Sequence, residues 1–240
     1  MNSFDLATIS FLNGFAQKSW AFDKLMVFAA NSMLLRGGIF LAVVWALWFS
    51  GPEDRNKRRV VLLSTMLASF FALFTARVAA LSLPFRARPL HTPELAFQLP
   101  YEVGPATLDA WSSFPSDHAT LFFSLATGIF LASRRMGIIA LLYTFVMIAF
   151  PRVYLGLHFP TDIIAGAFLG SAVMYVSNSN PIVKKLMHDK VMNWHDRHPA
   201  VFYAAFFLLT FEIAILFHDV RKIGGFVGAT IKRVFNFPGL

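Results

Sequence analysis

Long apolar runs, broken by short polar and mostly basic connections, dominate the chain. Six runs stand out, at about 30–50, 60–83, 117–133, 136–151, 161–178 and 199–217. Most approach the roughly 20 apolar residues that a bilayer-spanning helix needs. The third and fourth are short for full spans, and polar residues crowd their ends. Residues 1–29 read differently, because Phe4, Leu6, Ile9, Phe11 and Leu12 interleave with polar groups. That pattern predicts one or two helices lying in the membrane interface, and the basic, apolar stretch from Arg221 to Leu240 reads the same way. The expected architecture is an all-α, polytopic membrane helical bundle of about six transmembrane helices, with interfacial helices at the termini. Residues 1–240 are expected to form a single integral-membrane domain.

Composition sharpens this picture. Hydrophobic residues make up 57% of the chain and charged residues 14%, with a mean hydropathy of +0.59, which excludes an ordinary soluble domain. The absence of cysteine excludes disulfides and thiolate metal sites. A formal charge of +8 would suggest nucleic acid in a soluble protein. Here the basic residues set topology and meet anionic head groups, so the expected partner is the bilayer and not nucleic acid. No cleaved signal peptide is read at the first residues.

The basic residues also orient the bundle. Arg55, Lys57, Arg58 and Arg59 lie in one connection, Arg134 and Arg135 in the next alternate one, and Lys184, Lys185, Lys190 and Arg197 in the third. By alternation all three fall on one face, which the positive-inside rule makes cytoplasmic. Loops 84–116 and 152–160 then face the exterior. With an even number of spans both chain ends lie there too; if residues 1–29 also cross, the amino terminus moves inside.

Those exterior loops hold the candidate chemistry. In Phe114-Pro115-Ser116-Asp117-His118, proline and serine stand directly before an apolar run, as at a helix start. A helix start offers unpaired N–H groups and partial positive charge to an anion. Ser116 adds a hydroxyl donor and His118 a titratable nitrogen. In Arg152-Val153-Tyr154-Leu155-Gly156-Leu157-His158-Phe159-Pro160-Thr161-Asp162, Pro160 suits a first helical position. Asp162 falls in the first turn, where its carboxylate can bond one nitrogen of His158 and aim the other outward. Arg152 offers a planar fork for bidentate phosphate binding, or a surface salt bridge to Asp162. In Phe85-Arg86-Ala87-Arg88-Pro89, Arg88 is a second phosphate clamp, while Arg86 reads better as a head-group anchor.

Together these residues resemble the type-2 phosphatidic acid phosphatase superfamily of membrane lipid phosphatases. Its pattern is a lysine, six residues, then Arg-Pro; then Pro-Ser-Gly-His; then Ser-Arg with five residues to His and three to Asp. Arg88-Pro89 matches the end of the first part, Pro115, Ser116 and His118 the second, and Arg152, His158 and Asp162 the third, over about residues 77–170. Leu81 stands at the lysine position, Asp117 at the usual glycine and Pro151 at the usual serine. The Phe-Pro-Ser-Asp-His-Ala-Thr wording is similar to the bacterial undecaprenyl-diphosphatase branch. Arg77, one turn before Leu81, is not a replacement on this reading. Helical side chains lean toward the amino terminus, which sends Arg77 deeper into the bilayer, where it is expected to pair with Glu212.

The resemblance implies a catalytic set of His158 as nucleophile, Asp162 orienting it and His118 protonating the leaving oxygen. Arg88, Arg152 and Ser116 would hold the phosphate with backbone N–H groups near Asp117. No metal or other cofactor is implied. The implied substrate is a membrane lipid, foremost undecaprenyl diphosphate cleaved to the monophosphate for cell-wall biogenesis. Phosphatidic acid or phosphatidylglycerophosphate fits the same geometry. A non-hydrolytic lipid-phosphate transporter and a catalytically silent relative are the competing readings. The implied location is a bacterial cytoplasmic (inner) membrane, multi-pass, with the site facing the periplasm or exterior.

Several signals are discounted. His188, His195 and His198 are read as a solvated cytoplasmic loop, and Glu94, Glu102, Asp109 and Trp111 as ordinary loop residues. His91 has no family position, and His218 and Asp219 read as interfacial. Gly166 and Gly170 are read as a small-residue contact within the bundle.

Overall fold

A computed structural model describes residues 2–108 and 111–217. Asp109, His218, Asp219 and the stretch from Arg221 to Leu240 lie outside the described residues. Nine longer helices, besides single 3-10 turns at Pro89–His91 and Pro93–Leu95, form the described chain: α1 (Ser3–Asn13), α2 (Trp20–Asn31), α3 (Leu34–Phe49), α4 (Arg55–Ser82), α5 (Asp117–Ala132), α6 (Arg134–Tyr154), α7 (Pro160–Ser179), α8 (181–197) and α9 (Pro199–Ala214). There is no strand among the described residues.

Three of these, α4, α6 and α7, are long and apolar enough to cross a membrane. The pair α2 and α3 is long and apolar enough only when taken together, and is bent by 62° where the chain breaks, as in a broken span or a re-entrant loop. Helices α5 and α9 are apolar but have only 16 residues each. Every apolar run thus became a helix, although the first is broken rather than continuous. The predicted connection 179–198 is not a loop: Asn180 caps α8 by accepting from the N–H groups of Ile182 and Val183, and the helix continues through a wide turn at Met187–Met192.

Helices α4, α5 and α7 pack side by side to form the centre of the bundle. On α4, Leu62, Met66, Ser69, Leu73 and Ala76 are buried at helical spacing, while Phe70, Phe71, Phe74 and Val78 are exposed where lipid would cover them. Small residues let these helices meet closely. A Cβ on Gly170 would lie 2.1 Å from the carbonyl oxygen of Thr120, and one on Gly166 would lie 2.6 Å from that of Ser116. The glycine pair is therefore the α5–α7 contact. Hydroxyls line the same seam: Thr127 donates to Ser171 at 3.0 Å, and the Oγ atoms of Ser69 and Ser124 stand 3.5 Å apart.

The path of the chain separates two ends. At one, α4 starts, α5 turns into α6 at Ser133 and α7 hands over to α8. The basic connections gather there, and His195 packs against Trp48 and Phe202 while its Nε2 lies 3.1 Å from the Tyr203 hydroxyl. At the other end α4 finishes, α5 starts and α6 passes into α7. The amino-terminal helices cover this second end. Ile9 is buried with Ala119, Ala149, Val153, Phe159 and Ile163, and Met26 and Ala30 with Tyr154 and Leu155.

Candidate active site

Three segments far apart in sequence are stapled by their backbones at that second end. Ser116 N donates to the Asp162 carbonyl at 3.2 Å, Ser113 N to that of Arg86 at 2.9 Å, and Leu90 N to that of Gly156 at 3.1 Å. Gly156 makes the sharp turn between α6 and α7. It adopts φ +69°, and a Cβ there would lie 2.6 Å from the Phe97 ring, so glycine is required on both counts.

His158 sits just after this turn and is 4% exposed. Its Nδ1 lies 2.8 Å from the carbonyl oxygen of Ser113. A carbonyl only accepts, so Nδ1 carries the ring proton and Nε2 keeps its lone pair. Nε2 lies 3.3 Å from Nη1 of Arg88, itself a pure donor, which fits the same tautomer. Burial, opposed by Asp162 and reinforced by Arg88, pulls the imidazole's proton affinity below its ordinary value. A neutral, oriented nitrogen therefore faces a guanidinium.

Asp162 is not the direct hydrogen-bond partner that its spacing suggested. Its Oδ2 stands 3.7 Å from His158 Nδ1, at ion-pair rather than hydrogen-bond range. That oxygen accepts the N–H of Phe159 at 2.7 Å, closing the first turn of α7, and Oδ1 accepts from Arg86 Nη1. The surface salt bridge between Arg152 and Asp162 is absent for the same reason: Arg86 occupies the carboxylate. Arg86 is thus a clasp and not a head-group anchor. Its other nitrogen, Nη2, donates to Asp5 of α1 at 2.7 Å.

The α5 start supplies the other half. Ser116 caps the helix, its hydroxyl oxygen accepting from Ala119 N at 3.4 Å, which leaves its proton to donate elsewhere. His118 Nδ1 lies 3.0 Å from Asp117 Oδ1, and its Nε2 lies 3.0 Å from Nη1 of Arg36. Since arginine only donates, Nε2 accepts and the proton on Nδ1 goes to Asp117.

Arg77 donates to Asp117 Oδ2 at 2.6 Å and stacks on the Trp111 ring. It does not pair with Glu212, whose Oε2 is buried without a hydrogen-bond partner among the described residues. The long arginine stem overrides the amino-terminal lean and carries its head outward to the polar end of the bundle. Leu81, at the family lysine position, is 87% exposed and faces away. Asp117 is thereby explained: it anchors Arg77 with one oxygen and His118 with the other.

Arg88 and Arg152 are 6% and 3% exposed, and among the described residues neither contacts a carboxylate. Arg152 donates to the Ile148 carbonyl at 3.0 Å, and it feels the charges of Arg36, Asp117 and Arg88. Arg88 donates to the carbonyls of Leu157 and Ser112, while its Nε is buried without a partner among the described residues. Burial lowers the proton affinity of Arg88, against the pull of Asp117 and Asp162. Five guanidiniums (Arg36, Arg77, Arg86, Arg88, Arg152) thus meet three carboxylates (Asp5, Asp117, Asp162). Buried cations without counter-ions are costly, and an anion of about two charges would balance the set.

All seven residues singled out in the sequence lie in this region. Among the residues the sequence reading missed are Arg36, Asp5 and the Ser113 carbonyl. Arg36 carried a signal, being a charge inside an apolar run without a local partner. Asp5 carried little, and a backbone carbonyl carries none. Elsewhere, Glu102 pairs with Lys24 and His91 Nε2 lies 2.9 Å from the Thr107 carbonyl. No cluster of acidic and histidine residues suited to a metal exists among the described residues.

The PAP2 superfamily model matches residues 60–182, so the chain belongs to this superfamily and is a membrane-bound phosphatase. A protein of Bacillus licheniformis named bacitracin transport permease protein BcrC is 27% identical, over 67% of this chain and 72% of its own. The putative undecaprenyl-diphosphatase YbjG of Escherichia coli (strain K12) is 25% identical, over 71% and 79% respectively. A crystal structure of a PAP2-type phosphatidylglycerolphosphate phosphatase from Bacillus subtilis covers 73% of this chain and 83% of its own at 20% identity, with a TM-score of 0.49.

The Asp5 clasp makes one prediction. Asp5 is fully buried and accepts from Arg86, from Thr161 Oγ1 at 2.6 Å and from Thr161 N at 3.0 Å. Asp5→Asn turns one acceptor into a donor that faces these donors. Arg86 then loses its grip on Asp162, and a small misplacement of the His158 loop follows. The expected result is a fall in kcat of about tenfold with KM little changed, recovered in part by Asp5→Glu. Steady-state kinetics with wild-type kcat in Asp5→Asn would refute the clasp.

Proposed function

We propose that this protein hydrolyses a polyprenyl diphosphate, such as undecaprenyl diphosphate, to the monophosphate through a phospho-histidine on His158. One observation carries the reading: the Ser113 carbonyl holds the ring proton on Nδ1, so the Nε2 lone pair faces the guanidinium of Arg88. The names of the relatives support the substrate class.

In the first step Nε2 of His158 attacks the terminal phosphorus and the bond to the bridging oxygen breaks. A proton on His118 passes to the departing lipid monophosphate. The positive imidazole is stabilised by Asp162 at 3.7 Å and by the Ser113 carbonyl. Arg88, Arg152, Ser116 and the N–H groups beside Asp117 hold the non-bridging oxygens, where fixed donors act strongly because water is excluded. In the second step neutral His118 takes a proton from water, the oxygen attacks phosphorus, and orthophosphate leaves with His158 restored. The substrate reaches the site from the bilayer with its tail in lipid. The basic connections cluster at the end opposite the site, which supports an exterior or periplasmic site in the inner membrane. Residues 1–240 act as one unit on this reading.

The test offers purified protein undecaprenyl diphosphate, phosphatidic acid and phosphatidylglycerophosphate side by side, with chelator present and across pH. Phosphate is expected fastest from the diphosphate and undiminished by chelator. Protonation of His158 removes the nucleophile, so the acid limb lies below the ordinary histidine value of about 6.5, because burial depresses this group. Burial and Arg152 lower His118 as well, against the pull of Asp117, so its proton is taken up together with the phosphate anion, and loss of that proton from the loaded site sets the alkaline limb of kcat. No phosphate from any lipid, or an acid limb well above that value, would overturn the reading.

A further inference from the structure

Arg36 lies outside the segment that matches the family, yet it touches the site. The bend between α2 and α3 brings it there: the chain turns by 62° at the break, and Arg36 sits in the wide first turn of α3. The guanidinium donates to the backbone carbonyls of Asn31 at 3.1 Å and Ser32 at 3.4 Å, and to His118 Nε2 at 3.0 Å. Among the described residues it has no carboxylate in ion-pair contact, and the charge of Arg152 acts against it. Two cations beside one imidazole, sharing the single carboxylate of Asp117 that Arg77 and His118 already engage, mark a place for further negative charge.

The geometry of displacement says which negative charge. The attacking and leaving oxygens lie roughly in line on opposite sides of phosphorus. With His158 on the attacking side, His118 marks the leaving side. If the substrate is a lipid monophosphate, the leaving oxygen carries a hydrocarbon tail, its developing charge is met by the His118 proton, and a guanidinium beside it has no second anion to hold. If the substrate is a diphosphate, the leaving oxygen belongs to a second charged phosphate. Arg88 stands at the His158 end of this line and Arg36 at the His118 end, with Arg152 electrostatically coupled to both.

We propose that Arg36 binds the lipid-side phosphate of a diphosphate substrate and so selects lipid diphosphates over lipid monophosphates. The assignment rests on the phosphatase reading above and names its substrate class through a residue that the family pattern does not contain. On binding, the anion draws the Arg36 head off His118 Nε2 and frees that nitrogen to carry the proton for the leaving oxygen. Arg36 thus couples recognition of the second phosphate to arming of the acid. It also neutralises the lipid monophosphate as it departs.

The experiment compares kcat/KM for a polyprenyl diphosphate and the monophosphate of the same polyprenol, in wild type, Arg36→Gln and Arg36→Lys. Losing one charge-assisted contact at the transition state costs on the order of 10²-fold. Arg36→Gln is therefore expected to lower kcat/KM about 10²-fold on the diphosphate and less than tenfold on the monophosphate. Arg36→Lys keeps the charge without the fork and should recover part of the preference. An equal fall on both substrates, or none on either, overturns the assignment.

A companion measurement needs no variant. Pyrophosphate should inhibit wild-type hydrolysis of the monophosphate at least tenfold more strongly than orthophosphate, and equal potency would again overturn it. Wild-type protein that releases phosphate from neither lipid sinks the phosphatase reading itself. An active wild type whose preference survives Arg36→Gln sinks this assignment alone.

Discussion

Replacing His158 by alanine is expected to abolish phosphate release, with a fall in kcat of about 10⁴-fold or more. The size follows from the role. Without Nε2 there is no covalent step, and the remaining arginines can only hold the substrate near water. Binding should survive, because Arg88 is fixed by the carbonyls of Leu157 and Ser112 as well as by His158. The variant should therefore still bind lipid diphosphate with an affinity close to that of wild type. Asn or Gln at this position should be no better, since an amide is a poor nucleophile. A His158→Ala protein that turns over within tenfold of wild type would remove the histidine from the chemistry.

Replacing Arg88 by alanine should lower kcat by about 10²–10³-fold, equivalent to about 2–4 kcal/mol of transition-state stabilisation. Arg88 is 6% exposed, lies 3.3 Å from the nucleophilic nitrogen and keeps one buried N–H without a partner. That donor gains its full strength on a phosphate oxygen as charge builds there during attack. Arg88→Lys keeps a charge but loses the planar fork, so it should recover only part of the activity. KM should move less than kcat, because the arginine meets the charge that develops as phosphorus is attacked. A rise in KM with unchanged kcat would instead make Arg88 a ground-state anchor.

The sequence was legible where chemistry is local. Apolar runs announced the helices, and Pro115-Ser116 and Pro160 announced the starts of α5 and α7 that bear His118 and Asp162. The spacing of Arg152, His158 and Asp162 placed all three at one helix junction. It was not legible where a side chain returns from far away. Arg86 reads as an anchor in the sequence because its partner Asp5 lies 81 positions earlier and meets it only in the fold. Arg77 was sent inward by the rule for helical side chains, but Asp117, 40 positions on, drew it outward. Asp162 was given the imidazole proton that a backbone carbonyl takes. Arg36 reads as part of a span, since only the bend between α2 and α3 delivers it to His118. The amino-terminal helices, read as interfacial appendages, supply Asp5 and Ile9 to the walls and supports of the site.

The central claim is a covalent bond between phosphorus and His158. Rapid-quench reaction of the purified protein with polyprenyl diphosphate, labelled in its terminal phosphate, reads that bond. A phosphoramidate resists alkali and breaks in acid. The account predicts alkali-stable, acid-labile label on wild type before free phosphate appears, and none on His158→Ala. Phosphate released with no label ever passing through the protein, or equal label on both proteins, would contradict it.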